Sequence, residues 1–154
     1  MELGLKGRVA LVAASSKGIG KAIALGLARE GAKVAMCARG EEDLKRAAEE
    51  VKETSTAGNA GVLAVLTDVS RPDQIKRLVQ ETVAKFGKVD ILVNNAGGPP
   101  PGLFDIFGDE DWQKALDLNF FSTVRMTREV LPYMRPQKWG RIINLTSLSV
   151  KQPI

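Results

Sequence analysis

With 154 residues, 44% hydrophobic and 26% charged, the sequence has the composition of one ordinary globular domain and is too short for two. The net charge of +4 does not indicate a nucleic-acid surface, because lysine and arginine are interspersed with acids, as in Glu41–Arg46, rather than gathered among aromatic residues. The lack of histidine and the single cysteine argue against a zinc site, and no apolar run approaches the roughly 18 residues that cross a membrane.

The predicted elements alternate along the chain. Five short apolar runs predict strands at residues 8–13, 33–38, 62–66, 89–93 and 141–145. Four segments with apolar residues at helical spacing predict helices at residues 18–30, 41–53, 70–86 and 109–134. Because strand and helix alternate with short links, we predict a parallel α/β sheet with helices on both faces and right-handed crossovers.

Local signals mark where helices begin and end. Gly31 and Gly87 follow the first and third helices, where glycine favours a left-handed C-terminal turn. Ser70 is predicted to cap the third helix, with Pro72 in its first turn and Asp73 as the acid of a capping box.

Two features bear on the compartment. Residues 1–7 contain no hydrophobic segment of a signal peptide. Cys37 lies within the second apolar run, which is typical of a small core residue in a reducing compartment. We therefore expect a cytoplasmic protein that binds neither membranes nor nucleic acid.

The stretch from Val9 to Ala28 has the pattern of a strand, a turn of small residues and a helix. Unpaired N–H groups and the dipole at the start of a helix favour an anion such as a pyrophosphate. Gly18 and Gly20 lack Cβ atoms, so an anion and the neighbouring strand can both approach closely. A tight turn that binds nothing is the alternative interpretation.

Polar or small residues also follow the other four predicted strands, at Arg39, Asp68, residues 94–97 and residues 146–149. In a parallel sheet these strand ends meet at one edge, where ligands bind beside the point at which strand order reverses. Five such ends around one crevice favour a bound ligand over an empty turn.

Taken together, these stretches resemble the short-chain dehydrogenase/reductase family over essentially the whole sequence. The resemblance rests on Ser15–Gly20, Asp68–Val69, Asn94–Gly97, Leu118–Asn119 and Arg141–Ser147. Within the family the sequence is most similar to reductases of the 3-oxoacyl-[acyl carrier protein] type. The resemblance implies a Rossmann-like, doubly wound three-layer fold and hydride transfer between a nicotinamide cofactor and a carbonyl or alcohol substrate.

The resemblance also implies how the cofactor would be held. Ser15, Ser16, Gly18, Ile19 and Gly20 would surround its pyrophosphate. This group lies in the turn that the anion argument already singles out.

Further positions match the family at the ends of the third and fourth strands. Asp68 would accept a hydrogen bond from the adenine amino group, beside the backbone of Val69. Asn94 would tie strands together behind the cofactor, and Ala96 and Gly97 would pack close to its ribose. Asp68 could instead only cap a turn.

Two matching residues would serve the reaction itself. Asn119 would kink its helix around a water molecule of a proton relay, and Ser147 would orient the substrate carbonyl oxygen, with Ser149 as second choice. Asn119 could instead be an ordinary polar residue within a helix, and Ser147 one more loop hydroxyl.

The charge near the second strand indicates which nicotinamide cofactor is used. An NAD site usually places an acid at the end of that strand, where it binds the ribose 2′-hydroxyl. Here the strand ends at Ala38, followed by Arg39, and Lys17 lies in the phosphate turn. Two cations without an acid fit a 2′-phosphate, so the sequence predicts NADP(H). Both cations could instead face solvent.

The sequence departs from the family in two places. Ala14 stands where the family has the first glycine of the turn, and its methyl would crowd the turn if the backbone requires a positive φ. The family's proton donor, a Tyr-x-x-x-Lys pair about a dozen residues after Ser147, is not in the sequence, and Tyr133 precedes the fifth strand. We therefore expect the 154 residues to be the N-terminal part of a chain of about 250 residues, incomplete on its C-terminal side and inactive alone.

The predicted helix at 109–134 is apolar on more than one side, as Trp112, Leu116, Phe121 and Met126 illustrate. One side would face the sheet and the other a partner helix. Two explanations for the second side are open: homo-oligomerisation through this helix, or burial under further chain.

Overall fold

The computed structural model describes residues 3–98, 101–148 and 151. Its strands are β1 (Val9–Val12), β2 (Lys33–Ala38), β3 (Val62–Leu66), β4 (Ile91–Asn94) and β5 (Arg141–Asn144). Its helices are α1 (Gly18–Arg29), α2 (Glu41–Thr54), α3 (Pro72–Phe86), α4 (Asp109–Leu116) and α5 (Ser122–Met134). A π turn over Asp117–Phe121 joins α4 to α5, and 3₁₀ turns occupy Asn59–Gly61 and Phe104–Ile106.

All five strands pair in parallel, in the order β3-β2-β1-β4-β5. The chain runs outward from β1 to β3 and then returns to the other side of β1 for β4 and β5. Strand order therefore reverses between β1 and β4, as in a Rossmann-like sheet, which confirms the predicted fold class.

Helices cover both faces of the sheet. On one face α1 and α2 contribute alanines, Leu44 and Val51 to the core, and on the other α3 and α5 contribute Ile75, Leu78 and Val130. Every residue of β1 and β4 is buried, as expected for strands covered on both sides. Burial on two faces explains why these strands are continuous apolar runs.

Two details of the predicted helices are wrong. Ser70 does not cap α3, because its N–H and hydroxyl both donate to the Asp68 carboxylate, at 2.9 and 2.7 Å, and Arg71 takes the cap position. The helix at 109–134 is not one regular α-helix, because the π turn interrupts it. Gly31 and Gly87 have the positive φ that was predicted for them.

At the amino-terminal ends of β1 and β4, a buried acid, Asp90, connects the two strands. Its carboxylate accepts hydrogen bonds from the Val9 N–H at 2.8 Å and the Arg8 guanidinium at 3.1 Å, and it pairs with the Lys88 ammonium at 2.8 Å. Burial alone would raise the pKa of Asp90, but these donors outweigh it and lower the pKa below its usual value. The contacts hold the starts of β1 and β4 together.

The β5 side carries the exposed apolar surface. Within the described residues β5 pairs only with β4, and Ile143 is half exposed. Trp112, Leu116 and Phe120 on α4 and the π turn are also about half exposed, while Met126 on α5 is buried. None of the described helices is long and apolar enough to cross a membrane.

Candidate functional site

The carboxyl ends of the five strands form one edge, and two of the grooves along it among the described residues contain most of the predicted site residues. The β1–β2 groove is lined by Ala14, Ser16, Lys17, Ala38, Arg39, Gly40, Asp43, Thr67, Val69, Gly97 and Leu118. The β4–β5 groove, of about 620 Å³, is lined by Ile19, Asn94, Asn95, Ala96, Gly98, Asn119, Phe120, Thr123, Val124, Asn144, Leu145, Thr146 and Ser147. The turn after β1 separates them.

That turn is attached to the strands on both sides of β1. The Ala13 N–H donates to the Val93 carbonyl at 3.0 Å, and the Ser15 N–H donates to the Cys37 carbonyl at 2.9 Å. The Ser15 hydroxyl donates to the Val12 carbonyl at 2.9 Å and accepts from the Cys37 N–H at 3.1 Å. The fully buried Ser15 side chain therefore ties β1 to β2 and points away from the groove.

Ala14 has a φ of +48°, the left-handed conformation that favours glycine. The sign of this φ is not fixed by the sequence, and the positive value is the case in which the methyl costs stability. Lys138 is the other non-glycine residue with positive φ among the described residues.

Asn95, a residue that the sequence analysis assigned no separate role, holds this turn from the β4 side. Its amide nitrogen donates to the Ala14 carbonyl at 3.2 Å. A Cβ atom on Gly20 would lie only 2.6 Å from that nitrogen and closer still to the Ala14 carbonyl oxygen. Gly20 is therefore required by the packing of α1 against the turn, before any ligand is considered. The signal in the sequence was the second asparagine of the Asn-Asn pair.

The first turn of α1 is open. Gly18 has a φ of +54° and no heavy atom within 4 Å of a Cβ placed on it, and Lys17 at the cap position makes no capping side-chain bond. The first N–H groups of a helix have no partner within the helix, so they can donate to an anion here. Ile19 lies next to them with its side chain exposed on the β4–β5 side.

Lys17 and Arg39, the two cations predicted to bind a 2′-phosphate, both line the β1–β2 groove. The structure adds an acid to them. The Lys17 ammonium lies 2.6 Å from a carboxylate oxygen of Asp43, on the first turn of α2, and this bond lowers the pKa of Asp43. The prediction of two cations without an acid is therefore incomplete. Asp43 is five residues beyond the end of β2 in the sequence, and folding brings it into the groove beside Lys17.

The loop after β3 is held by its own hydrogen bonds. One carboxylate oxygen of Asp68 accepts both Ser70 donors, and the Asp68 N–H donates to the Gln74 side chain at 2.7 Å. Val69 lines the β1–β2 groove and Asp68 precedes it. Asp68 thus orders its own turn in addition to any contact that it makes with a ligand.

The β4–β5 groove contains Asn94, Ala96, Asn119 and Ser147 together, while Gly97 lies on the β1–β2 side. The Asn94 amide donates to the Asn144 side chain at 2.8 Å, which ties β4 to β5. The side-chain amide oxygen of Asn94 is buried and has no hydrogen-bond partner among the described residues. Ser149 lies outside the described residues.

Asn119 lies within the π turn. Its amide donates to the Ala115 carbonyl at 2.9 Å, and the Thr123 hydroxyl donates to the Asn119 carbonyl at 3.1 Å. Such side-chain bonds compete with regular helix hydrogen bonding, and π turns are frequent at functional sites. The side chain of Arg125 joins this turn to the β3 loop, through Asp117 at 2.8 Å and the Ser70 carbonyl at 3.0 Å.

Comparisons with known proteins agree with this arrangement. The model of the short chain dehydrogenase family matches residues 8–154. A 3-oxoacyl-[acyl-carrier-protein] reductase of Staphylococcus epidermidis is 39% identical over 139 residues, which cover 90% of this chain and 56% of the relative. An 11-beta-hydroxysteroid dehydrogenase of Arabidopsis thaliana is 40% identical over 144 residues, covering 93% of this chain and 40% of the relative.

Solved structures with the same fold were determined with a nicotinamide cofactor. L-sorbose reductase from Gluconobacter frateurii, complexed with NADPH and L-sorbose, has a TM-score of 0.93 at 38% identity and covers 100% of this chain and 57% of its own. An actinorhodin polyketide ketoreductase with NADPH has a TM-score of 0.88 at 37% identity, and the match covers 96% of this chain and 56% of the ketoreductase. The chain thus spans about half the length of the relatives that it matches.

The left-handed conformation of Ala14 generates a first prediction. Ala14→Gly should raise the free energy of unfolding by about 1 kcal/mol, because glycine adopts this φ without the methyl clash. Ala13→Gly is the matched control and should lower that free energy, since Ala13 is buried and has no positive φ. Urea unfolding followed by circular dichroism measures both, and a loss of stability in both variants would contradict the strain at Ala14.

The packing of Gly20 generates a second prediction. Gly20→Ala should destabilise the chain by roughly 1–3 kcal/mol, because the new methyl overlaps the Ala14 carbonyl and the Asn95 amide. Gly26→Ala, on the same helix with open space around its Cβ, should stabilise it by about 0.5–1 kcal/mol. Thermal unfolding of the two variants should therefore shift in opposite directions, and equal shifts would refute the packing argument.

Proposed function

This chain belongs to the short-chain dehydrogenase family, and we propose that it forms the NADP(H)-binding part of an oxidoreductase acting on a carbonyl or alcohol substrate. The observation that carries the proposal is the open first turn of α1 at the point where strand order reverses, with Lys17 and Arg39 on its β2 side. An anion-binding helix start beside two cations suits a dinucleotide that carries an additional phosphate. The NADPH complexes of the similar reductases support the same choice.

In this proposal the pyrophosphate lies over the first turn of α1. The backbone of Gly18, Ile19 and Gly20 and the hydroxyl of Ser16 would hold it. Ser15 is not in this contact set, because its hydroxyl is already used between β1 and β2. Its contribution is to fix the direction in which the turn leaves the sheet.

The two grooves divide the cofactor between them. The β1–β2 groove would take the adenosine, with Asp68 and Val69 beside the adenine, Gly97 against the ribose and Arg39 with Lys17 at the 2′-phosphate. The β4–β5 groove would take the nicotinamide end, where Asn94 and Ala96 line the wall. This orientation of the cofactor is supported by Lys17 and Arg39, which both lie on the β2 side of the turn.

The bound cofactor would supply or accept a hydride. Ser147 would orient the substrate carbonyl oxygen at the mouth of the β4–β5 groove, and Asn119 would position a proton relay through its π turn. Reduction of a carbonyl also requires a proton donor for the developing alkoxide. Tyr133 does not fill that role, because it is packed against the core near the end of α5.

Substrate class and assembly are proposed from similarity and surface. The similar 3-oxoacyl-[acyl-carrier-protein] reductases favour a 3-oxoacyl thioester among carbonyl substrates. The exposed apolar residues of α4 and the π turn favour a homo-oligomer, and the buried single cysteine fits a cytoplasmic protein.

The cofactor assignment is tested by reversing the charges in the β1–β2 groove. Lys17→Ser with Arg39→Asp should reverse the preference from NADPH to NADH, because the variant exchanges two phosphate-binding cations for one acid. Dissociation constants of both cofactors, measured by fluorescence titration, give the preference. Lys76→Ser with Arg128→Asp makes the same charge change on exposed helix surface and should leave the preference unchanged. An unchanged preference in the groove variant would refute the assignment.

Binding and turnover should separate in these 154 residues. We expect the chain to bind NADPH but to oxidise it with a 3-oxoacyl thioester or a ketose no faster than background, because the sequence holds no Tyr-x-x-x-Lys pair. Absorbance at the reduced-nicotinamide band follows turnover, and cofactor titration of the same sample verifies binding. Carbonyl reduction above background would show that another group donates the proton.

A further inference from the structure

The acid that lines the β1–β2 groove, Asp43, lies in the first turn of α2. Asp43 is the third residue of α2, and one of its carboxylate oxygens lies 2.6 Å from the Lys17 ammonium. The other oxygen lies 3.5 Å from the Arg46 guanidinium. A Cβ atom on Gly40 would lie 3.5 Å from the Asp43 carboxylate, so the side chain folds back over the start of the helix towards the groove.

Asp43 changes the charge that a ligand meets in this groove. Lys17 and Arg39 contribute two positive charges and Asp43 one negative charge, so the three side chains together carry one positive charge. Lys17 is also held by Asp43, and the bond to Lys17 keeps this carboxylate ionised by lowering its pKa. A phosphate in the groove must therefore compete with Asp43 for Lys17 and lie near a like charge.

The ion pair has little reason to exist for stability. The Lys17 side chain is 73% exposed and that of Asp43 is 34% exposed, and ion pairs so accessible to solvent contribute little to folding. The start of α2 also has two other acids, Glu41 and Glu42, which interact favourably with the helix dipole without Asp43. The main effect of the Lys17–Asp43 pair is therefore expected on the affinity for a ligand in the β1–β2 groove.

We infer that Asp43 is a specificity-determining residue, which limits the preference for NADPH over NADH by neutralising Lys17 at the 2′-phosphate subsite. This inference rests on the proposed function and deepens it. A cofactor without the 2′-phosphate places no dianion beside Asp43, so the acid weakens only the phosphorylated form. The native chain would then bind NADH with an affinity closer to that of NADPH than its two cations alone suggest.

The test compares Asp43→Asn with the native chain by titration of NADPH, NADH and two adenosine fragments, 2′,5′-ADP and 5′-AMP. In the variant, NADPH and 2′,5′-ADP should bind roughly three- to tenfold more tightly, and NADH and 5′-AMP should change less than twofold. High salt should reduce the gain, because the groove charges are solvent-accessible. Glu41→Gln is the matched control, since it removes a first-turn acid that pairs with Lys45 and does not line the groove.

Lys17→Gln in both backgrounds tests the route through Lys17. It should weaken NADPH binding more in the Asp43→Asn variant than in the native chain, because Asp43 no longer neutralises the lysine. Equal losses in the two backgrounds, or NADPH binding that is unchanged or weaker in Asp43→Asn, would overturn the inference while the proposed function stands. A native chain that binds neither cofactor would overturn both.

Discussion

The candidate site depends on how the chain leaves the sheet after β1. The two strands that flank β1 belong to different halves of the sheet, β2 to one half and β4 to the other. The hydrogen bonds from Ala13 to Val93 and from Ser15 to Cys37 attach the turn to both halves. With the turn held in this way, α1 begins above the reversal of strand order, and its N-terminal N–H groups are presented between the two grooves.

The asparagines after β4 extend this constraint across the edge. Asn95 donates to the turn after β1, while Asn94 donates to Asn144 at the end of β5. The two adjacent side chains therefore connect three strand ends in opposite directions. On the far side, Arg125 links the β3 loop to the π turn. The loops around the two grooves are therefore joined by side-chain hydrogen bonds.

Much of the fold could be predicted from the sequence, and the reason is physical. A parallel strand buried on both faces must be apolar throughout, so β2 was predicted with the bounds that the structure has. The bounds of β3 were also predicted correctly from its apolar run, although Ala64 and Leu66 of this edge strand are exposed. The glycines after α1 and α3 end their helices because a positive φ is needed there. These features depend on residues close together in the chain.

The parts that could not be predicted depend on contacts between distant residues. The Lys17–Asp43 pair needs α1 and α2 side by side, and the inward hydroxyl of Ser15 needs β2 beside β1. The cap at Ser70 failed because Asp68 competes for the same donors. The π turn at Asn119 follows from hydrogen bonds that a hydrophobic pattern does not contain. The family resemblance predicts which residues surround the site, whereas the contacts of each side chain depend on the folded geometry.

Two features that lower the stability of the fold lie at the carboxyl ends of the strands, and both favour a role for this edge in binding a ligand. Ala14 adopts a left-handed conformation that costs a non-glycine residue about 1 kcal/mol or more. The buried side-chain oxygen of Asn94 has no hydrogen-bond partner among the described residues, although an unsatisfied buried acceptor costs about 1–3 kcal/mol. A sheet edge that served only to close the fold would gain by relieving both. Backbone strain and unsatisfied polar atoms are frequent at ligand sites, and Ala14 and Asn94 each line one of the proposed cofactor grooves.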